Sequence, residues 1–273
     1  MHFLTGWGDA SYSPASGEPL QKLLWHLHAL REIPKKLLSM TIYSNVTGVI
    51  PVRAGSQRIK GKNLRLFSGL DADSLLSWKI KQLLQVLPAE NILVSSDWDE
   101  ALEVAACLGC KTQVRADWLC SEDAPFDEVI KAVANEVGTE HMMWSPVTSP
   151  FVGPSLVSEF LDKYFGLKPE QQSQGQILTS QLRDYFFMSG KPLNFPLGTG
   201  HIQTQDIAPI SRWSWALSVR PTQDVITSKY MFNAYANFFD ADILSTFDIN
   251  DEIEFVMAQE LIGLYTKREG TGK

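Results

Sequence analysis

Five basic side chains, Arg53, Arg58, Lys60, Lys62 and Arg65, fall within thirteen consecutive positions, and no acid interrupts them until Asp71. They follow an apolar run and share their loop with Gly55, Ser56 and Gly61, in the segment VIPVRAGSQRIKGKN that spans Val49 to Asn63. Small residues let a backbone turn tightly enough to aim its N–H groups at one point, and adjacent cations neutralise charge there. The chemistry this pattern suits is the binding of an anion such as phosphate. An exposed basic loop without a ligand is the competing reading. The surroundings sharpen the contrast, because 24 basic against 31 acidic residues leave the chain with a formal net charge of -7.

Two nucleotide-binding patterns fail on spacing. A P-loop needs four residues between its glycines and a hydroxyl residue after the lysine. Here five residues separate Gly55 from Gly61, and Asn63 follows Lys62. The dinucleotide fingerprint G-x-G-x-x-G has no match after the first strand. Two acids stand between an expected strand and an expected helix, Asp97 after NILVSS and Asp248 in FDINDE. Each is either a carboxylate on the ligand side of a sheet or a helix cap. Cys107 and Cys110 form a lone C-x-x-C, with Cys120 as the third cysteine. No second ligand pair accompanies them among His2, His26, His28, His141 and His201, so they read as small buried hydrophobes rather than a zinc or redox site.

These residues need a frame. Strand 46–52 leads through the basic loop to a helix near 74–87, and strand 91–96 to a helix over 98–108 that Gly109 stops. Strand 111–116, helix 125–137, strand 141–145, the turn Pro146–Pro150 and helix 154–165 follow. After a strand at 176–181 comes an irregular Pro/Gly-rich stretch, then strand 215–219, a helix near 222–236, strand 243–249 and a last helix from Asp251 to Tyr265. Apolar strands alternating with amphipathic helices predict an α/β fold with a doubly wound, mainly parallel sheet, and 180–215 reads as a small β/loop arm. The expected organisation is an N-terminal extension over 1–40, a main domain over 41–266 and a tail over 267–273. Leu20, Leu23, Leu24, Leu27 and Leu30 put an amphipathic helix in that extension, while Met40, just ahead of the first strand, offers an alternative start.

Bulk properties narrow the function. With 273 residues, 44% of them hydrophobic, the chain can bury one large core or two small ones. The acidic balance argues against nucleic acid, and no apolar run is long enough for a membrane span. The start MHFLTGWGDAS lacks the features of a secretory signal, so a cytoplasmic location is expected.

A third phosphate pattern fits. VIPVRAGSQRIKGKN resembles the first motif of the N-acylneuraminate (CMP-sialic acid) cytidylyltransferase family, roughly I-P-A-R-x-G-S-K-x-I-x-x-K-N, with Pro51, Arg53, Gly55, Ser56, Ile59, Lys62 and Asn63 in place. The stretch NILVSSDWDEALEVAACLGCKTQVR is similar to the family's second strand, helix and strand, and VTSPFV (147–152) to its P-T-S-P-L-R turn. KPLNF and TQDIAPI look like its sugar-site arm, and FDINDEIEFVMAQEL (247–261) resembles its closing acidic motif. The likeness runs over about residues 46–262.

The resemblance implies a Rossmann-type, nucleotide-diphospho-sugar transferase-like fold. It also implies a reaction in which CTP and an acidic, sialic acid-like nonulosonic sugar give a CMP-sugar and pyrophosphate. By the same likeness Arg53, Lys62 and Asp248 would be catalytic, and Arg53, Gly55, Ser56, Gln57, Lys62, Asn63 and Asp97 would hold the nucleotide. Thr148, Ser149 and Gln205 would meet the sugar, and Asp248 and Asn250 would hold Mg2+. A homodimer is implied too. The sequence departs from the family at ligand-facing positions. Gln57 replaces a lysine, Asn250 replaces the second acid of a D-x-D pair, and Val152 and Gln203 stand where arginines are usual. Pro146 and Val147 replace Gln-Pro, and Ser214-Trp215 replaces Asn-Gly. Two readings therefore stand, an active enzyme for a divergent sugar and a paralogue that binds a nucleotide or partner without turnover.

Overall fold

The computed structural model describes residues 43–55, 58–68 and 74–270. The amphipathic helix expected at 20–33, and Ser56 and Gln57, lie outside these residues. In chain order the elements are β1 (Val46–Pro51), α1 (Leu75–Leu83), β2 (Ile92–Ser96), α2 (Asp99–Cys107), β3 (Lys111–Val114), α3 (Phe126–Ala134), β4 (His141–Trp144) and α4 (Pro154–Phe165). The chain continues through α5 (Pro169–Gln172), β5 (Gln176–Leu182), β6 (Phe187–Met188), β7 (Lys191–Pro192), β8 (Ile210–Pro221), α6 (Thr222–Ser228), β9 (Asn237–Asp240) and α7 (Glu252–Gly270).

Seven strands form one sheet in the order β3-β2-β1-β4-β8-β5-β9. β8 runs antiparallel to both neighbours, and the remaining pairs are parallel, so the expected doubly wound, mainly parallel α/β sheet is what forms. Side-chain alternation along the strands divides the core into two layers. Val46 and Ile50 of β1, with Ile92 and Val94 of β2, pack on α1, α2, α4 and α7. Val49, Leu93, Met142 and Trp144 face the other way, onto α3 and α6. Gly48 lets the end of α1 and the turn after it approach closely, since a Cβ there would stand 3.2 Å from Leu83 Cδ1 and 2.8 Å from Leu87 Cδ1. Among the described residues no helix is long and apolar enough to cross a membrane.

Several expectations need correction. The helix expected near 222–236 ends at Ser228, because Lys229 adopts a left-handed conformation, φ 56°, that breaks the helical ladder. No strand forms at 243–249. The Asp242 carboxylate accepts bonds from the backbone N–H groups of Leu244 (3.0 Å) and Ser245 (3.1 Å), which turns the chain back, and the edge strand β9 forms earlier, at 237–240. The strand expected at 215–219 is twelve residues long, since β8 keeps pairing with β5 out to Leu182 and Ile210. Beyond that pair the chain leaves the sheet, and β6 and β7 make a small hairpin there.

Gly109 stops α2 as its type suggests, at φ 77°. Cys107, Cys110 and Cys120 are free thiols; Cys110 and Cys120 are buried as expected, whereas Cys107, in the last turn of α2, is exposed. Burial pushes the Cys110 thiol up to about 12, which suits an inert packing residue.

Candidate functional site

A cavity of about 620 Å3 opens beyond the carboxyl ends of β1, β3 and β4, the edge of an open α/β sheet where ligands collect. Arg53, Arg58, Lys62 and Asn63 of the basic loop line it, as do Arg115 after β3, Thr148 after β4, and Asp248 and Asn250 ahead of α7. Of the residues singled out by sequence, Arg53, Lys62, Asn63, Thr148, Asp248 and Asn250 thus converge. Gly55, Asp97, Ser149 and Gln205 do not line the cavity.

The basic loop is anchored at several points. Val52 N–H donates to Ser95 O at 3.0 Å, and Ala54 N–H donates to Asp97 Oδ1 at 2.9 Å. Asp97 is therefore neither a wall of the cavity nor the cap of α2. It restrains the backbone that carries Arg53, while Ser96 Oγ accepts from Trp98 N–H at 3.0 Å. At the far end of the loop, Leu76 N–H donates to Asn63 O at 3.1 Å, joining the loop to α1. Gly61 supplies the turn between them with φ 65°. Arg65 is drawn out of the cationic cluster altogether. It pairs with Glu252 at 2.7 Å, and its guanidinium carbon lies 4.5 Å from the centre of the Phe255 ring.

Lys62 is nearly buried, and its Nζ donates to Ile249 O at 2.5 Å, which leaves two of its three hydrogens for other partners. Burial pulls the ammonium below the ordinary lysine range, the Asp248 carboxylate opposes that, and Arg58 adds to the lowering. An arriving polyanion would reverse the lowering, because an opposite charge at close range favours the protonated form.

Asp248 and Asn250 owe their positions to the start of α7. Asn250 N–H (2.6 Å) and Asp251 N–H (3.2 Å) donate to one Glu254 carboxylate oxygen, and Glu254 N–H donates to Asp251 Oδ1 at 2.9 Å. That reciprocal box caps the helix without using Asp248. Asp248 Oδ1 is buried and has no hydrogen-bond partner, as is Asn63 Oδ1. Buried acceptors left unpaired are costly, and two of them in residues that line one cavity call for an explanation such as an ion or water. Among the described residues no three His, Cys, Asp or Glu side chains converge on a metal site.

Thr148 lines the cavity, and its carbonyl accepts from Ile249 N–H at 2.9 Å, which ties the turn after β4 to the Asp248 segment. Ser149 sits on the other side of that turn, fully buried. Its carbonyl takes the Lys79 ammonium at 2.9 Å, and its hydroxyl has no partner. The expected sugar contact from Ser149 is corrected by this inward orientation. Gln205 lies in an exposed turn of the arm and bonds to Gln203.

Arg115 was not singled out by sequence. It is 5% exposed, lines the cavity, and is held by NH2 donating to Val52 O at 2.7 Å and Nε to Cys120 Sγ at 2.9 Å. A basic residue just beyond a strand's carboxyl end is the signal that would have found it. The other side of the cavity is aromatic. Phe126 stands edge-on to Trp144 (centroids 6.2 Å apart, 81°) and to Trp215 (5.0 Å, 84°), and all three line the cavity.

Comparison with known proteins gives the family and the fold. The cytidylyltransferase family model matches residues 47–185, just over half of the chain. CMP-N,N'-diacetyllegionaminic acid synthase of Legionella pneumophila is 34% identical over 122 residues, which cover 41% of this chain and 50% of that protein. N-acylneuraminate cytidylyltransferase of Escherichia coli is 24% identical over 223 residues, covering 79% and 51%. The chain thus spans about half the length of the curated relatives it matches. A solved structure of CMP:2-keto-3-deoxy-manno-octonic acid synthetase with CTP superposes with a TM-score of 0.57 at 15% identity, covering 80% of this chain and all of that one, and shares the fold.

Proposed function

The chain belongs to the cytidylyltransferase family, and we propose that it transfers a cytidylyl group from CTP to a hydroxyl of an acidic nonulosonic sugar, releasing pyrophosphate. The observation that carries this reading is the charge layout of the cavity. Arg53, Arg58, Lys62 and Arg115 present four cations on one side, and Asp248 stands among them with an unpartnered oxygen. In the reaction the sugar oxygen bonds to the α-phosphorus and the bond from that phosphorus to the bridging oxygen breaks. Pyrophosphate leaves with the electron pair, and the hydroxyl proton passes to solvent. Such transfers depend on positioning and charge neutralisation more than on covalent help from the protein. Arg53 and Lys62 neutralise the triphosphate, Asn63 and the loop amides add hydrogen bonds, and Thr148 stands by the acceptor.

Mg2+ fits the residues present. It accepts a site of one or two protein oxygens completed by water and substrate phosphates, and the Asp248 carboxylate with the Asn250 carboxamide would be the pair to hold it. When bound it would add positive charge at the phosphates. Exposed apolar side chains on the arm, Phe187, Met188 and Leu197, support a homodimer built through that arm. The need for CTP supports a cytoplasmic location.

The test is pyrophosphate release from CTP and Mg2+ with a panel of nonulosonic acids. Release with any member is the expected result. Stabilisation of the fold by CTP without release from any of them would favour a nucleotide-binding paralogue, and no stabilisation by any nucleotide would overturn both.

A further inference from the structure

Three side chains of α1 donate to one turn, and it is the turn that carries Thr148. Trp78 Nε1 and Gln82 Nε2, one helical turn apart, donate to Pro150 O at 2.8 and 2.9 Å. Lys79 Nζ, next to them, donates to Ser149 O at 2.9 Å and to Val152 O at 3.3 Å. Carbonyls in such a turn have no sheet or helix ladder to satisfy them, and from within the turn Ser149 O receives a long bond from Val152 N–H at 3.5 Å. The side chains of α1 therefore supply much of what holds its shape.

The hydrogen bonds continue from the turn to the cavity. Thr148 O accepts from Ile249 N–H at 2.9 Å, and Ile249 O accepts from Lys62 Nζ at 2.5 Å. Ile249 lies between Asp248 and Asn250, so the acidic segment is tied to the turn on one side and to the basic loop on the other. The same helix holds the end of that loop, since Leu76 N–H donates to Asn63 O at 3.1 Å.

Lysine is a costly residue for this place. Lys79 is 0% exposed, and both of its partners are backbone carbonyls of the turn. An apolar side chain of similar volume would fill the space without burying an amine. Packing gives no reason for the amine, whereas the two carbonyls do.

Resting on the cytidylyltransferase reading above, we propose that Lys79 is a positioning residue for the transfer: it holds Ser149 O and Val152 O, and so fixes the turn that sets Thr148 beside the acceptor. Lys79 does not line the cavity and acts through the backbone of the turn. Its effect falls on turnover more than on nucleotide affinity. The loop that carries Arg53 is anchored elsewhere, by Val52 N–H on Ser95 O and Ala54 N–H on Asp97 Oδ1. A displacement of about 1 Å at a reacting group can cost about 100-fold in rate, even when its cause lies far from the chemistry.

The test uses the full chain with CTP, Mg2+ and the nonulosonic acid that gives the fastest pyrophosphate release. Lys79→Met keeps the volume and removes the donors. Because burial of the amine opposes folding, this variant should be no less stable than the wild type at pH 8, so unfolding would not account for lost activity. Its kcat should fall by about 10- to 100-fold, while the calorimetric Kd for CTP changes by less than about threefold. Ile80→Val, a buried change on the same helix that leaves all three donors in place, should keep kcat within about twofold. In a Thr148→Val background, Lys79→Met should lower kcat by no more than about a further threefold, because two changes that act through one group are not additive. An undiminished kcat in Lys79→Met, an equal loss in Ile80→Val, a loss confined to CTP affinity, or full additivity with Thr148→Val would each overturn the positioning role and leave the transferase reading standing. A wild-type protein that releases no pyrophosphate with any nonulosonic acid would overturn both.

Discussion

Lys79 offers the sharpest physical test, because a fully buried amine has been placed under the turn that carries Thr148. Its Nζ donates to Ser149 O at 2.9 Å and to Val152 O at 3.3 Å, while Trp78 Nε1 and Gln82 Nε2 of the same helix both donate to Pro150 O. Burial pushes Lys79 down from 10.5 to about 7. The two carbonyl bonds favour the charged form and act against that lowering. Below pH 7 both folded and unfolded chains carry the proton, and the folded state bears the full cost of a buried charge. Between about 7 and 10.5 the unfolded chain binds more protons than the folded one, so stability rises with pH across that window.

Lys79→Met keeps the volume and removes the titration, which makes it the reference. The stability difference, wild type minus variant, should rise by about 2 kcal/mol from pH 7 to pH 9. At pH 9 the unfolded lysine still holds its proton, so the roughly 1–3 kcal/mol that the variant loses by leaving Ser149 O and Val152 O without a donor is about offset, and the wild type leads by that amount only above about pH 10.5. Urea unfolding of both proteins at pH 7, 8 and 9 measures this directly, and other groups that titrate in the range cancel in the difference. A difference that stays flat with pH would refute the argument, by showing that the amine keeps its ordinary affinity for the proton.

Other consequences concern the cavity. Lys62→Met should weaken CTP binding by about 10- to 100-fold in calorimetry, the worth of a charge-assisted hydrogen bond, without loss of thermal stability, because the lysine is already penalised by burial. Asp97→Ala should cost about 1 kcal/mol in chemical unfolding and also weaken CTP binding, because Ala54 N–H loses its acceptor; unchanged nucleotide affinity would show that the loop does not need this restraint. Asn250→Asp should lower the Mg2+ concentration needed for half-maximal CTP binding, since a carboxylate replaces a carboxamide beside Asp248. An unmoved midpoint would take Asn250 out of the metal shell.

Much of the scaffold is legible in the sequence alone. Helix 154–165 has the boundaries its sequence suggests, and the strands at 46–51 and 92–96 fall where apolar runs meet turn signals. Local rules suffice there, because periodicity, proline and glycine act within a few residues. The misses share a physical cause. β8 outruns its apolar core because cross-strand pairing with β5 extends it, and 243–249 turns because one carboxylate binds two nearby N–H groups. Tertiary pairing in the first case and side-chain competition in the second override residue preference.

The site divides in the same way. By itself the sequence determined the basic loop, its failure as a P-loop, the turn containing Thr148 and the acid at Asp248, because each is a local pattern of residue types. Only the tertiary structure decided which of these meet. It turned Ser149 inward to the Lys79 ammonium, gave Asp97 to the Ala54 N–H, drew Arg65 off to Glu252, and brought Arg115 and the Phe126–Trp144–Trp215 wall into the cavity. Those outcomes depend on strand order and on contacts between residues far apart in the chain. The residue types are written locally, but the distances between them exist only once the sheet has closed.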